Sequence, residues 1–329
     1  MRNFNYLRAQ TVDEAQRAAA QAGAMLLAGG TTLLDLAKCG VTAPETVVDI
    51  THLQGLDTIA YDNGGVTIGA LAKMSTVAAD RGIRDRYSAV SEALWQAASA
   101  QLRNMATIGG NLMQRTRCPY FRDPASFSAC NKRNPGSGCA AIGGVTRNHA
   151  ILGTSDTCIA TNPGDLAVAL VALDAEVILG ARRVPADDFF LLPGATPERE
   201  HAIEPGEIIT AIRIPESSTA RNSTYLKVRD RQSYEFAAAS AAVAMDLDAD
   251  GLTVRDIRVA LGGVATKPWR AHAVEAALKG KKLSREAIDQ AAALATEGAV
   301  VQGDNRYKLA LAPRVVARAI INLKLRGIA

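Results

Sequence analysis

Leu26-Leu27-Ala28-Gly29-Gly30-Thr31-Thr32-Leu33 sets two glycines between a short apolar run and a helix start. Glycine tolerates positive φ and lets a backbone approach a ligand closely. Successive N–H groups in such a turn can hold a phosphate. The stretch matches neither the dinucleotide fingerprint nor the Walker loop, and a Gly-Gly alone also suits an ordinary tight turn. Working outward, Thr11-Val12-Asp13-Glu14 is a capping-box pattern opening an alanine-rich helix that stops near Gly23. Residues 33–38 read as a helix and Val47-Val48-Asp49-Ile50 as a strand, so the segment predicts a small parallel β-α-β unit.

A second element has the same look. Arg103-Asn104-Met105-Ala106-Thr107-Ile108-Gly109-Gly110-Asn111 again sets Gly-Gly beside a hydroxyl and an amide. Two such loops can grip a pyrophosphate from both sides; Arg103 and Asn104 equally suit a buttress or helix cap. Nearby, 66–70 reads as a strand and 87–102 as one amphipathic helix. Residues 166–179 suggest a helix passing into a strand, and 208–215 a strand ending at proline. Pro215-Glu216-Ser217-Ser218-Thr219-Ala220 is a polar link, predicting domains at 1–218 and 221–329. Beyond it, strands (236–247, 252–261) precede helices (271–279, 284–297, 312–323), an α+β order.

Composition bounds the class. The 329 residues are 48% apolar and 21% charged, with 37 basic and 33 acidic side chains and a net charge of +4. That is globular composition, not disordered or collagen-like. No stretch approaches the ~20 apolar residues of a membrane span, and the N-terminus has no apolar signal core. The expected compartment is cytoplasm or periplasm.

Cys118, Cys130, Cys139 and Cys158 fall in one window, spaced by 12, 9 and 19 positions, while Cys39 stands apart and reads as a core thiol. Between 115 and 154 periodicity disappears into Gly, Pro, Asn and Arg, and a loop this long is usually functional or disordered. The spacing lacks the close Cys-x-x-Cys pairs of structural zinc sites and slightly favours an iron–sulfur cluster. Asn131, Asn134 and Gly136-Ser137-Gly138 offer turns and N–H donors to sulfur. The loop is also basic: Arg115, Arg117, Arg122, Lys132, Arg133 and Arg147 face only Asp123. With Tyr120, Phe121 and Phe127 interleaved, single-stranded nucleic acid enters as an alternative, through a zinc-stabilised RNA-binding protein. Against it, thiolates around a cluster carry negative charge that a basic surround would partly neutralise.

The four histidines lack metal-ligand spacing, no Gly-x-Ser-x-Gly elbow occurs, and no catalytic residue can be nominated. His149 is a poor candidate ligand beside four cysteines. Asp165 suits a helix N-cap or a ribose contact. Lys227 suits an exposed strand position or a positive charge beside a reduced flavin.

Taken together, Leu26–Leu33 and Thr107-Ile108-Gly109-Gly110-Asn111 resemble the two FAD loops of the flavin subunits of molybdenum hydroxylases, the xanthine dehydrogenase family. Leu261-Gly262-Gly263-Val264-Ala265 with Pro268 and Arg270, and Asn305-Arg306-Tyr307-Lys308, look like that family's C-terminal signatures. The resemblance covers nearly the whole chain. Cys130 through Cys139 with Asn148-His149-Ala150-Ile151-Leu152-Gly153 looks most like the bacterial aldehyde oxidoreductase subgroup, whose flavin subunit carries an additional 4Fe–4S cluster.

The resemblance implies an α+β chain: a two-lobed FAD-binding domain of the PCMH / CO dehydrogenase flavoprotein type, with the cluster loop inserted at about 115–160, then a smaller α+β C-terminal domain. Leu26, Leu27, Ala28, Gly29, Gly30, Thr31, Thr32 and Leu33 would line the FAD pyrophosphate, closed over by Thr107, Gly110, Asn111 and Gln114. Asp165 would meet the ribose or adenosine part, Ile209 the ring system and Lys227 the isoalloxazine. Asp165 follows Asn162-Pro163-Gly164 where the family usually has Ser-Pro before its aspartate. Cys118, Cys130, Cys139 and Cys158 would bind the cluster. The implied function is electron transfer within a heterotrimeric molybdenum aldehyde oxidoreductase. A large subunit would hold the molybdenum cofactor and a small one 2Fe–2S clusters, with an external electron acceptor, no nucleic acid and no membrane insertion. A flavin subunit of a 4-hydroxybenzoyl-CoA reductase, with electrons running the other way, is the enzymatic alternative. Export remains open to such a complex through a twin-arginine signal on a partner.

Overall fold

The computed structural model describes residues 1–326. Strands β1 (Asn5–Arg8), β2 (Ala24–Leu27) and β3 (Thr46–Asp49) form a parallel sheet in the order β1-β3-β2, as the glycine-loop reading predicts. The helix between β1 and β2, Val12–Ala19, opens on the expected cap: Thr11 Oγ1 accepts from Glu14 N–H at 3.1 Å, and Glu14 accepts from Gln10 N–H at 2.8 Å. The helix Leu33–Lys38 follows the first glycine loop.

The second lobe is a five-stranded antiparallel sheet. Its strands are β4 (Ile59–Asp62), β5 (Gly65–Gly69), β6 (Glu176–Leu179), β7 (Arg182–Pro185) and β8 (Ala211–Pro215), in the order β4-β5-β8-β6-β7. The helix Asp165–Ala172 is buried along its whole length, because it packs between this lobe and the third sheet. The segment read as one helix over 87–102 is two, Ser88–Gln96 and Ala100–Met105. Ala98 takes φ +49 between them, a left-handed conformation that ends the first helix.

The third sheet is antiparallel: β9 (Ser223–Val228), β10 (Ala239–Leu247), β11 (Val254–Gly262) and β12 (Trp269–Arg270), in the order β12-β11-β10-β9. Helices His272–Leu278, Arg285–Ala293 and Lys308–Arg326 cover one face and close a separate apolar core. Among the described residues no helix is long and apolar enough to cross a membrane.

Candidate functional site

A cleft of about 750 Å³ runs between the first two lobes, a size typical of small-molecule and cofactor sites. Leu26, Ala28, Gly29, Gly30, Thr31, Thr32 and Leu33 form one wall, and Thr107, Gly109 and Gly110 the other; Ile209 also lines it. Leu27 does not, although its side chain lies beside Gly30. Among the described residues, the N–H groups of Gly29, Gly30, Thr31 and Thr32 find no acceptor. They are consecutive donors beside an open cleft. The second loop is the opposite case. Its N–H groups hold the loop together: Ile108 donates to Ala72 O, Gly109 to Ala70 O, Gly110 to Thr107 Oγ1 and Asn111 to Thr107 O. Asn111 Oδ1 is buried without a partner, outside the cleft lining. Gln114 lies elsewhere; its side-chain oxygen, in the orientation that pairs both groups, accepts from Arg117 at 3.0 and 3.1 Å.

A second pocket adjoins the first through residues 113–118. Met113 and Arg115 line the cleft, while Thr116, Arg117 and Cys118 line the second pocket with His149, Asp165, Phe236, Ser240 and Gly263. Asp165 is the first residue of its helix rather than the cap, which is Gly164. Its carboxylate accepts from Lys227 Nζ at 2.8 Å and from Tyr225 OH at 2.5 Å. Lys227 is therefore not an exposed strand lysine: its side chain is 1% exposed and donates also to Gln96 O at 3.1 Å. Burial pushes the Asp165 pKa up, and Lys227 and Tyr225 oppose that. The site places a buried ion pair behind the pocket wall, where removing either charge strands the other.

The four cysteines of the irregular loop line one small cavity. Cys118 precedes the short helix Pro119–Arg122. Cys130 and Cys139 face each other across a bridge held by Asn131 N–H to Gly138 O at 2.7 Å and Ala140 N–H to Ala129 O at 3.0 Å. The Asn131 side chain accepts from Gly138 N–H at 2.8 Å, the turn role its position suggests. Cys158 closes the ring, with Ala160 N–H directed at its sulfur at 3.5 Å. All four are free thiols. Burial pushes Cys118 up to about 12 and raises Cys158 as well. Such thiols are inert until a cation stabilises the thiolate. Among the described residues no group of three or more His, Cys, Asp or Glu is gathered tightly enough to hold a metal ion. The thiols thus surround a cavity without meeting as a mononuclear site would require.

The basic residues of this loop do not form a displayed surface. Arg117 and Arg122 pair with Asp35 at 2.9 and 2.8 Å, in the helix that follows the first glycine loop. Arg115 and Lys132 share Glu200. Arg133 donates to the carbonyls of Tyr120 and Phe121 at 2.7 Å, and Arg147 pairs with Asp230 at 2.9 Å. Their charge stitches the loop to both domains, so the RNA-binding alternative loses its basis. Cys39 is half-buried against Arg122 rather than in a core. Sequence reasoning missed Asp35 and Glu200 because each lies far along the chain from its partners in the loop, 82 and 87 positions for Asp35, 85 and 68 (200 − 132) for Glu200.

The family described as FAD binding domain in molybdopterin dehydrogenase matches residues 2–217. The CO dehydrogenase flavoprotein C-terminal domain matches 224–323. The chain is 44% identical to the aldehyde oxidoreductase FAD-binding subunit PaoB of Escherichia coli K12, over 97% of this chain and 98% of that one. It is 30% identical to the glyceraldehyde dehydrogenase medium chain of Sulfolobus acidocaldarius, covering 87% and 84%. Its fold superposes on carbon monoxide dehydrogenase of Hydrogenophaga pseudoflava with a TM-score of 0.74, 27% identity and coverage of 97% and 96%.

Proposed function

This chain belongs to the FAD-binding subunits of the molybdenum hydroxylases, and we propose that it is the FAD and 4Fe–4S electron-transfer subunit of a heterotrimeric aldehyde oxidoreductase. Membership makes it one component of a multi-subunit oxidoreductase that binds FAD. The finer reading rests on one observation: residues 113–118 line the cofactor cleft at one end and the four-cysteine cavity at the other.

The residues present fit both groups. Four consecutive N–H donors without acceptors suit a pyrophosphate, and Thr107 and Gly110 face them across the cleft. Asn111 Oδ1, buried and unpaired, is an acceptor in want of a donor. Asp165 at the second pocket, with Lys227 behind it, and Ile209 in the cleft would serve the remaining parts of FAD. Cys118, Cys130, Cys139 and Cys158 would hold the cluster, a donor set of four soft thiolates. When bound, FAD would supply a carrier able to exchange electrons singly or in pairs, and the cluster would supply a one-electron carrier. The chain's own work is to hold the two groups on one continuous segment and to keep water from the thiolates.

Aldehyde oxidation then falls to a large partner with the molybdenum cofactor, and delivery of electrons to a small partner with 2Fe–2S centres. The proposed domains are 1–218 and 221–329, on either side of the polar link. Folded export on a partner's twin-arginine signal is compatible with this division. The test is co-purification of the complex, with flavin, iron, sulfide and electron paramagnetic resonance measured on this subunit. About four iron and four sulfide per chain are expected with one FAD. Zinc without iron would overturn the cluster reading, and aldehyde oxidation by the isolated chain would overturn the division of labour.

A further inference from the structure

His149 is the residue that the cysteine pattern alone does not explain. It lies at 2% exposure, with Nε2 3.2 Å from Cys118 Sγ. Its other nitrogen, Nδ1, is buried with no hydrogen-bond partner. The ring also lines the pocket that holds Asp165, so it stands where that pocket meets the cysteine cavity, with Cys118 common to both.

The backbone that carries the ring is held both within the loop and from outside it. His149 N–H donates to Thr146 O at 2.8 Å, and Asp304 N–H donates to Thr146 Oγ1 at 3.0 Å. The next residue is fixed twice: Ala150 N–H donates to Ile159 O, and Asn305 Nδ2 donates to Ala150 O, both at 3.0 Å. Asn305 is fully buried. The C-terminal domain therefore clamps the backbone on either side of the histidine, and the contact with Cys118 is built in.

The proton position follows from the partners. A ligating thiolate is an acceptor only, so the ring nitrogen facing it must donate. A neutral imidazole has one proton to place on its two nitrogens. On Nε2 it meets sulfur and leaves Nδ1 as a bare lone pair. On Nδ1 it would leave a buried N–H orphaned, the rarer and costlier arrangement.

On the reading of the four cysteines as cluster ligands, we propose that His149 is a positioning residue that donates an Nε2–H hydrogen bond to the Cys118 thiolate and raises the cluster's reduction potential. A hydrogen bond to a ligand sulfur withdraws negative charge and so favours the reduced cluster. The same bond orients Cys118 at the wall shared with the flavin-side pocket.

The test is a redox titration of the complex followed by electron paramagnetic resonance, comparing wild type, His149→Leu and His149→Gln, with iron, sulfide and FAD measured in each. His149→Leu should keep its cofactors and titrate at a more negative potential, while His149→Gln, which retains an N–H donor, should recover part of the shift. In the wild type reconstituted with 15N-histidine, a weak nitrogen coupling to the reduced cluster is expected, absent in His149→Leu. An unchanged potential in His149→Leu, or loss of iron from both variants alike, would overturn the proposal. Absence of iron from the wild type would instead overturn the cluster reading beneath it.

Discussion

Gly29 lies against the main chain of Met105, so close that a Cβ built on it would meet the Met105 carbonyl oxygen at 2.2 Å. The first glycine loop thus rests on the backbone that leads into the second. The two walls of the cleft are one packed unit, and the glycine is required by its neighbour as much as by any ligand.

Gly29→Ala should therefore open the cleft without unfolding the chain. The obstacle is backbone, which cannot rotate away as a side chain would, and relief of such overpacking costs about 1–3 kcal/mol. Expressed as affinity, FAD binding should weaken about 5- to 140-fold, since 1.4 kcal/mol is tenfold. Flavin titration reads the loss, and an unchanged far-ultraviolet circular dichroism spectrum shows that the fold survives. Undiminished FAD affinity would mean that the loops move apart freely.

The cysteines separate into two classes by position. Serine at Cys118, Cys130, Cys139 or Cys158 should remove most of the iron, because each thiol lines the same cavity. Serine at Cys39 should remove none, since Cys39 sits apart, against Arg122. Iron and sulfide analysis of the five variants reads this, with FAD content as the control for folding. Iron lost equally from the Cys39 variant would mean that the cavity is not the site.

What could be read in the sequence was local. The run from Leu26 to Leu33, the Thr11–Glu14 cap and the aperiodic loop carry their meaning within a few residues. Ala98 carries no such mark, so the break at φ +49 between Ser88–Gln96 and Ala100–Met105 was not legible. Lys227 reads as a solvent-facing strand lysine until Asp165, 62 positions away, is packed against it. The six basic residues of the cysteine loop read as an exposed charge run for the same reason. The carboxylate partners of five of them, Asp35, Glu200 and Asp230, are supplied by the fold, at separations no periodicity reports.

The Asp165–Lys227 pair makes a double-variant prediction. Lys227→Met alone leaves a carboxylate buried with only Tyr225 and should destabilise the chain by about 3–5 kcal/mol. Adding Asp165→Asn removes the stranded charge and should recover much of that loss. Denaturant midpoints of the two single variants and the double variant form the cycle. If the two single losses simply add up to that of the double variant, the pair is not coupled and its place behind the pocket wall is incidental.

His201 gives the chain an acid-sensitive core. Its ring packs on Phe189 and Phe190, with centroids 5.2 and 5.6 Å away, and is 7% exposed. Burial lowers its pKa from 6.5 to about 4, although Glu200 pulls the other way. The folded state therefore refuses a proton that the unfolded chain accepts. The stabilisation is fully present above pH 6.5, falls as pH drops from there toward about 4, and flattens below. The size of the fall is on the order of 3 kcal/mol, at about 1.4 kcal/mol per pKa unit. His201→Phe keeps the aromatic packing and removes the titrating group. Its denaturation midpoint should match the wild type's at pH 7.5 to within about 1.5 kcal/mol. It should then lose less stability than the wild type between pH 6.5 and about 4. Parallel stability profiles across that window would show that the acid sensitivity lies elsewhere, in the carboxylates paired with the cysteine loop.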